Sequence, residues 1–110
     1  VAEPVALCPS TELEAGAIRA AELDGAEVVV WRDHDGGVHV HDARCPHAWN
    51  HLAAVGAVDG PDLVCTAHFW RFDAAGCGTR RLSDGTREPM RDLRAYPCAE
   101  RDGWIWATPA

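Results

Sequence analysis

Two short clusters near the middle of the chain restrict its fold more than any other feature of the sequence. Cys45-Pro46-His47 offers one thiol and one imidazole, and Cys65-Thr66-Ala67-His68 offers a second pair, with seventeen residues between His47 and Cys65. That interval holds a strand pair able to return the second loop beside the first, so these residues call for a fold in which two loops meet. Thiolates are soft donors that suit ferric iron and sulfide, while neutral imidazoles leave a second iron less electron-rich. Each imidazole also keeps a second nitrogen that can exchange a proton when the charge of the site changes. A closed Cys2His2 zinc site uses the same residue types. Zinc fingers, however, bring their two cysteines from one turn and their two histidines from another, whereas each loop here mixes one of each.

The surrounding sequence reads as β structure. Apolar runs are short and interrupted by turn signals every eight to twelve residues or so, an all-β pattern. Strands are expected at Ala17–Glu22 and Ala26–Arg32, joined across Leu23-Asp24-Gly25. A second tight turn follows at Asp33 to Gly37, where glycine supplies positive φ cheaply. Val38 and Val40 alternate with His39 and His41, which puts the valines on one face and the histidines on the solvent face. Leu63-Val64, Phe69–Phe72, Leu93–Tyr96 and Trp104–Ala107 complete the expected strands. The one helix-like stretch is Ser10–Ala15, capped by Ser10 or Thr11 and stopped by Gly16. Ser83–Met90 reads as the longest loop. Trp31, Trp104 and Trp106 fall in strands and are expected in the core. With 110 residues the chain is expected to form one domain, residues 1–110.

Five cysteines are an odd number for a disulfide framework. Beyond the two in ligand spacing, Cys8, Cys77 and Cys98 read as small hydrophobes or inert surface thiols. The formal charge of −7 excludes ordinary nucleic-acid binding, which relies on clustered cations, and it fits docking onto a basic partner face. Val1-Ala2-Glu3-Pro4 shows neither a basic region nor an apolar run, and no stretch is long enough for a membrane span. The expected compartment is the cytoplasm, where thiols persist.

Cys-x-His, seventeen residues and Cys-x-x-His resemble the fingerprint of the Rieske [2Fe–2S] family. Leu52 and Gly56 after the first pair, then Phe72-Asp73, Gly76, Pro89, Leu93, Tyr96-Pro97 and Asp102-Gly103, are similar to that family's later landmarks. The resemblance implies an all-β Rieske fold: an antiparallel β sandwich capped by a small subdomain carrying ligand loops at about residues 44–52 and 65–72. It implies one [2Fe–2S] cluster, with Cys45 and Cys65 on one iron and His47 and His68 on the other. It also implies that no residue is catalytic and that the chain carries single electrons.

Departures from the family refine the expectation. Respiratory members carry an extra cysteine in each loop, and Asn50 and Ala67 stand at those positions here. Trp70 and Phe72 replace a serine and a tyrosine whose hydroxyls donate to cluster and cysteine sulfurs. Such donors stabilise the reduced state, so a potential near the low end of the Rieske range, about −150 mV, is expected. The sequence Cys65-x-Ala67-His68-x-Trp70-x-Phe72 is similar to the Rieske ferredoxins of toluene-monooxygenase-like systems, whose partner is a diiron hydroxylase. Cys45-Pro46-His47 and Trp104-Ile105-Trp106 also resemble the Rieske domains of mononuclear-iron dioxygenases. The implied partners are a flavin-dependent reductase as donor and a terminal oxygenase or hydroxylase as acceptor, served by a monomer. Trp49, His51, Phe69 and Trp70 form the expected docking rim, with tryptophan the sharper choice at an interface. Three rivals stand beside this reading: a zinc module, a small subunit resembling that of assimilatory nitrite reductase, and a fragment of a larger oxygenase. The form of the two ends, with Thr108-Pro109-Ala110 closing the chain, favours an independent protein over the last.

Overall fold

Val28, Val29, Val30 and Trp31 form one unbroken apolar run, and in a computed structural model describing residues 3–46 and 49–109 all four are fully buried. A strand alternates its side chains between two faces, so four buried residues in a row require protein on both sides. The elements supply it. In chain order they are β1 (Val5–Pro9), a 3-10 turn (Ser10–Glu12), β2 (Ile18–Leu23), β3 (Ala26–Arg32), β4 (Val38–Asp42), α1 (Leu52–Val55), β5 (Gly56–Asp59) and β6 (Asp62–Cys65). These are followed by β7 (Trp70–Phe72), β8 (Gly78–Arg81), β9 (Arg87–Met90), β10 (Ala95–Tyr96), β11 (Cys98–Arg101) and β12 (Trp104–Ala107).

The strands form three antiparallel sheets, ordered β1-β12-β11, β10-β4-β3-β2 and β5-β6-β7-β8-β9. The first core gathers Cys8, Leu13, Leu23, Val28, Val30, Val40, Tyr96, Ile105 and Ala107, and so fills the sandwich between the first two sheets. A second gathers Val29, Trp31, Ala43, Cys45, Leu52, Leu63, Cys65, Phe72 and Leu93. It lies between the opposite face of β3 and β4 and the five-stranded sheet. β3 therefore belongs to both cores, its even-numbered valines serving one and Val29 and Trp31 the other.

That double burial corrects the reading of the histidines. His41 lies opposite Val29, and His39 opposite Trp31, on the face that meets the second core. His41 is fully buried, and its Nδ1 accepts a 2.9 Å hydrogen bond from the Trp31 indole. His39 lies tilted by 41° against Trp31, with ring centroids 4.5 Å apart, and places Nε2 2.7 Å from the Asp33 carboxylate. Asp33 also accepts from the amides of Asp35 and Gly37, which shapes the β3–β4 turn, and its pKa is lowered chiefly by His39. Alternation alone identifies two faces; it does not say which one meets water.

Other differences are smaller. Ser10–Glu12 is a 3-10 turn preceded by Pro9, with no side-chain cap. The chain is helical at α1 as well, where no helix is expected from sequence. Arg87–Met90, inside the expected loop, pairs with β8 as an edge strand, the one setting in which Pro89 costs no ladder hydrogen bond. β1, β5, β8 and β11 also lack a strong strand signature, being short and poor in β-branched residues; their partner strands supply the order. Trp31 is core as expected, but Trp104 is 43% exposed and Trp106 half-buried, with Arg101 over its ring. Cys8 is buried, Cys98 half-buried with its thiol on the Val38 carbonyl, and Cys77 exposed, none of them in a disulfide. Among the described residues no helix is long and apolar enough to cross a membrane.

Burial pushes the His41 pKa down to about 4, with His39 adding to the shift and the Ala74 and Asp73 backbone opposing it. A base depressed in this way holds fewer protons folded than unfolded between its unfolded value of 6.5 and about 4, so acidification through that window favours unfolding. The full shift corresponds to about 3 kcal/mol. Glu100, held down to about 2 by Arg32, loses its contribution in a lower window and does not interfere. Urea midpoints measured between pH 7 and pH 4.5 should therefore fall steadily. In His41→Gln, which keeps an acceptor for Trp31 without the titration, most of that slope should vanish; equal slopes in the two proteins would refute the account.

Candidate metal centre

The two Cys-His clusters differ in spacing, yet the structure builds both loops on one plan. In the second, β6 ends at Cys65, which pairs with Trp70 across a four-residue connection, and the Phe69 amide donates to the Cys65 carbonyl at 2.7 Å. In the first, the Cys45 amide donates to Asn50 at 2.9 Å and the Trp49 amide donates back to the Cys45 carbonyl at 2.8 Å. The bridge between Arg44 and His51, and the Leu52 amide on Ala43, close that loop as β6 and β7 close the other. In each loop the residue four after the cysteine is aromatic and left-handed, Trp49 and Phe69 both at φ 60°. A bulky residue rarely adopts that conformation without a reason in its surroundings.

The plan sends the two cysteines inward. Cys45 and Cys65 are each fully buried, and both belong to the second core. The aromatics go outward, Trp49 being 68% and Phe69 67% exposed. His68 is exposed beside Phe69. His47 lies outside the described residues, so of the four expected ligands the structure brings Cys45 and Cys65 into one core and sets His68 at the surface above it.

This arrangement fits the expected group. Burying two thiolates without compensating positive charge is costly, and a thiolate-bound iron removes that cost. Cys45 and Cys65 share an apolar core with Leu52, Leu63, Phe72 and Trp31, while His68 is exposed. Phe72 is fully buried and Trp70 packs on the same core, so neither position brings a hydroxyl to the sulfurs.

Supporting residues hold the loops in place. His51, expected at the rim, is half-buried and caps α1, its Nδ1 accepting from the Ala53 amide at 3.1 Å. A histidine before a four-residue helix gives little sequence signal of such a cap. Gly56 ends α1, and a Cβ there would lie 2.2 Å from the Leu52 carbonyl. Thr66 in the second loop donates both its amide and its hydroxyl to the Val55 carbonyl, tying that loop to the helix following the first. Arg71 pairs with Asp59 and Asp62 across β5, β6 and β7.

Comparison with known proteins agrees with this geometry. The profile of the family described as "Rieske [2Fe-2S] domain" matches residues 3–97. The chain is a member of the Rieske [2Fe–2S] family, and with that membership goes one [2Fe–2S] cluster. Its fold is similar to that of the ferredoxin of carbazole 1,9a-dioxygenase from Nocardioides aromaticivorans IC177, with a TM-score of 0.80 and 28% identity over 97% of this chain and 98% of that one. It is equally similar to part of dicamba monooxygenase, with a TM-score of 0.81 and 26% identity over 98% of this chain but 33% of the larger one. Among curated sequences it is 36% identical to the 4beta-methylsterol monooxygenase of Methylococcus capsulatus over 84% of this chain and 26% of that protein. The chain spans about a quarter of the length of such relatives.

Because Gly56 joins the helix of the first loop to the sheet of the second, Gly56→Ala should disturb both. The forced displacement of the Leu52 carbonyl should cost about 1–3 kcal/mol, read as a lower melting temperature. The purified variant should also hold less iron per chain than the parent. Unchanged melting and iron content would mean that the α1–β5 join yields without affecting the site.

Proposed function

We propose that Cys45, His47, Cys65 and His68 hold the cluster and that the chain is a soluble one-electron carrier, taking electrons from a flavin-dependent reductase and passing them to a terminal oxygenase or hydroxylase. The observation that carries this reading is the pair of like-built loops, which bury Cys45 and Cys65 together and leave His68 at the surface. When bound, the cluster supplies a one-electron couple. The chain's residues do the rest. Cys45 and Cys65 anchor it from the apolar side, and Leu52, Leu63 and Phe72 exclude water there. The exposed His68 offers the short path to a partner. Trp49 and Phe69 flank it as docking residues, with Trp70 and His51 behind them. Full-length overlap with a stand-alone ferredoxin supports the carrier reading. The protein works as a monomer in the cytoplasm, a compartment that suits the exposed thiol of Cys77.

A second reading has its own support. The same domain forms 15–26% of curated relatives that include oxygenase subunits, so the chain would serve as the Rieske domain of an oxygenase, feeding electrons to a catalytic domain rather than to a separate enzyme.

An anaerobic redox titration followed by electron paramagnetic resonance tests the ligand and carrier assignments. A rhombic signal should appear on one-electron reduction at about −150 mV, because Trp70 and Phe72 supply no hydroxyl to the sulfurs. His68→Cys should lower that potential or abolish the signal. His51→Ala should leave the spectrum intact while costing about 1 kcal/mol of stability through the lost cap. A spectrum lost in His51→Ala, or zinc in place of iron in metal-replete protein, would overturn the assignment.

A further inference from the structure

The charge of the chain is segregated along its fold. Residues 1–42 hold nine of the seventeen carboxylates and two of the ten cations, and residues 98–110 hold two carboxylates and one cation. Residues 43–97, which carry both ligand loops and the whole five-stranded sheet, hold six carboxylates against seven arginines. The formal −7 is thus the sum of −8 on the sandwich side and +1 on the half that bears the loops.

Within that half several arginines are committed to partners. Arg71 pairs with Asp59 and Asp62, Arg80 with Glu88, and Arg44 with Glu27. Arg81 and Arg87 are different. They stand directly opposite one another on β8 and β9, both exposed, and neither forms an ion pair among the described residues. Like charges facing each other across a ladder destabilise it, so the fold gains nothing from this pair. Its position is informative: Trp70, the residue after Phe69, lies opposite Arg80, the residue before Arg81, so the end of β8 and β9 that carries the two arginines lies toward the second ligand loop. On the other loop, Arg44 donates to the Trp49 carbonyl at 3.1 Å. The first loop is thus held by an arginine, and the second lies toward the sheet end that carries two more.

We propose that Arg81 and Arg87, with Phe69 and Trp49, form the face that receives a partner protein whose own redox centre is ringed by carboxylates. The inference rests on the electron-carrier reading and names the chemistry of the partner. It reverses what the net charge implies, because a molecule with an acidic base and a cationic tip is turned by an acidic partner so that the tip arrives first. The apolar aromatics then supply contact area once charge has aligned the two proteins.

Two measurements on the intact protein test this. Reduced protein would be oxidised, one electron at a time, by hexacyanoferrate(III), a trianion, and by tris(phenanthroline)cobalt(III), a trication. The rate with the trianion should fall as ionic strength rises, the opposite of what a net charge of −7 requires. Arg81→Gln/Arg87→Gln should slow it about fivefold or more at low ionic strength, while Arg19→Gln, a cation removed from β2, should leave it unchanged. A rate that rises with salt and ignores the double substitution would overturn the proposal. The second measurement is independent of electron transfer. Redox-inert hexacyanochromate(III) should broaden the amide resonances of Leu82 and Thr86 before those of Glu22 and Asp24, and that preference should disappear in Arg81→Glu/Arg87→Glu. Broadening there in a protein without a Rieske signal would refute the carrier reading and keep the cationic face. A Rieske signal without such broadening would refute the face and keep the carrier.

Discussion

Val28, Val29, Val30 and Trp31 are buried on both sides of one strand, and the placement of the rest of the molecule follows from it. The even residues close the sandwich with Ile105, Leu23 and Tyr96; the odd ones lay the floor of the second core, where Cys45 and Cys65 stand. Burial of four large apolar side chains contributes of the order of 6–12 kcal/mol before entropy is charged against it. A strand so enclosed can move toward neither side. The five-stranded sheet is therefore held against a rigid surface, and a site whose two halves come from different loops stays in register.

The polar groups within this arrangement mark its cost. Trp31 must satisfy an indole N–H in a dry interior, and His41 provides the acceptor at 2.9 Å. Nε2 of His41 is buried in turn, and burial outweighs the Ala74 and Asp73 backbone that would favour its charged form. The imidazole is consequently held neutral, and tolerance of acid is exchanged for the packing of Trp31. At the other end of the same face, His39 and Asp33 are hydrogen-bonded at 2.7 Å beside the β3–β4 turn, so one indole packs against two histidines.

The two ligand loops show how a shared backbone plan serves different sequences. Both close on the cysteine carbonyl through the amide four residues later, and both pay for a left-handed aromatic at that point. The plan turns the cysteine inward and the aromatic outward whatever lies between, so histidine can stand second after one cysteine and third after the other. The exposed Trp49 and Phe69 then give the loops an apolar surface on a chain whose net charge is −7.

Much of this was legible in the sequence. The Cys and His spacing names the chemistry of the site because ligand type is a property of side chains, and the turn signals name an all-β chain because glycine and aspartate act locally. The β3 and β12 boundaries follow from strong apolar runs, and the landmarks of the family carry the rest of the fold class. The tertiary structure decided what depends on neighbours far along the chain. Only the five-stranded sheet could turn the face of His39 and His41 from water to interior, because alternation defines two faces and a partner layer chooses between them. Only strand pairing could make Gly78–Arg81 and Arg87–Met90 into strands and bring Arg81 and Arg87 opposite each other, since neither segment has the composition to form one alone. And only packing, with Thr66 joined to Val55, could bring Cys45 and Cys65 into one core, because the distance between loops is not written in either loop.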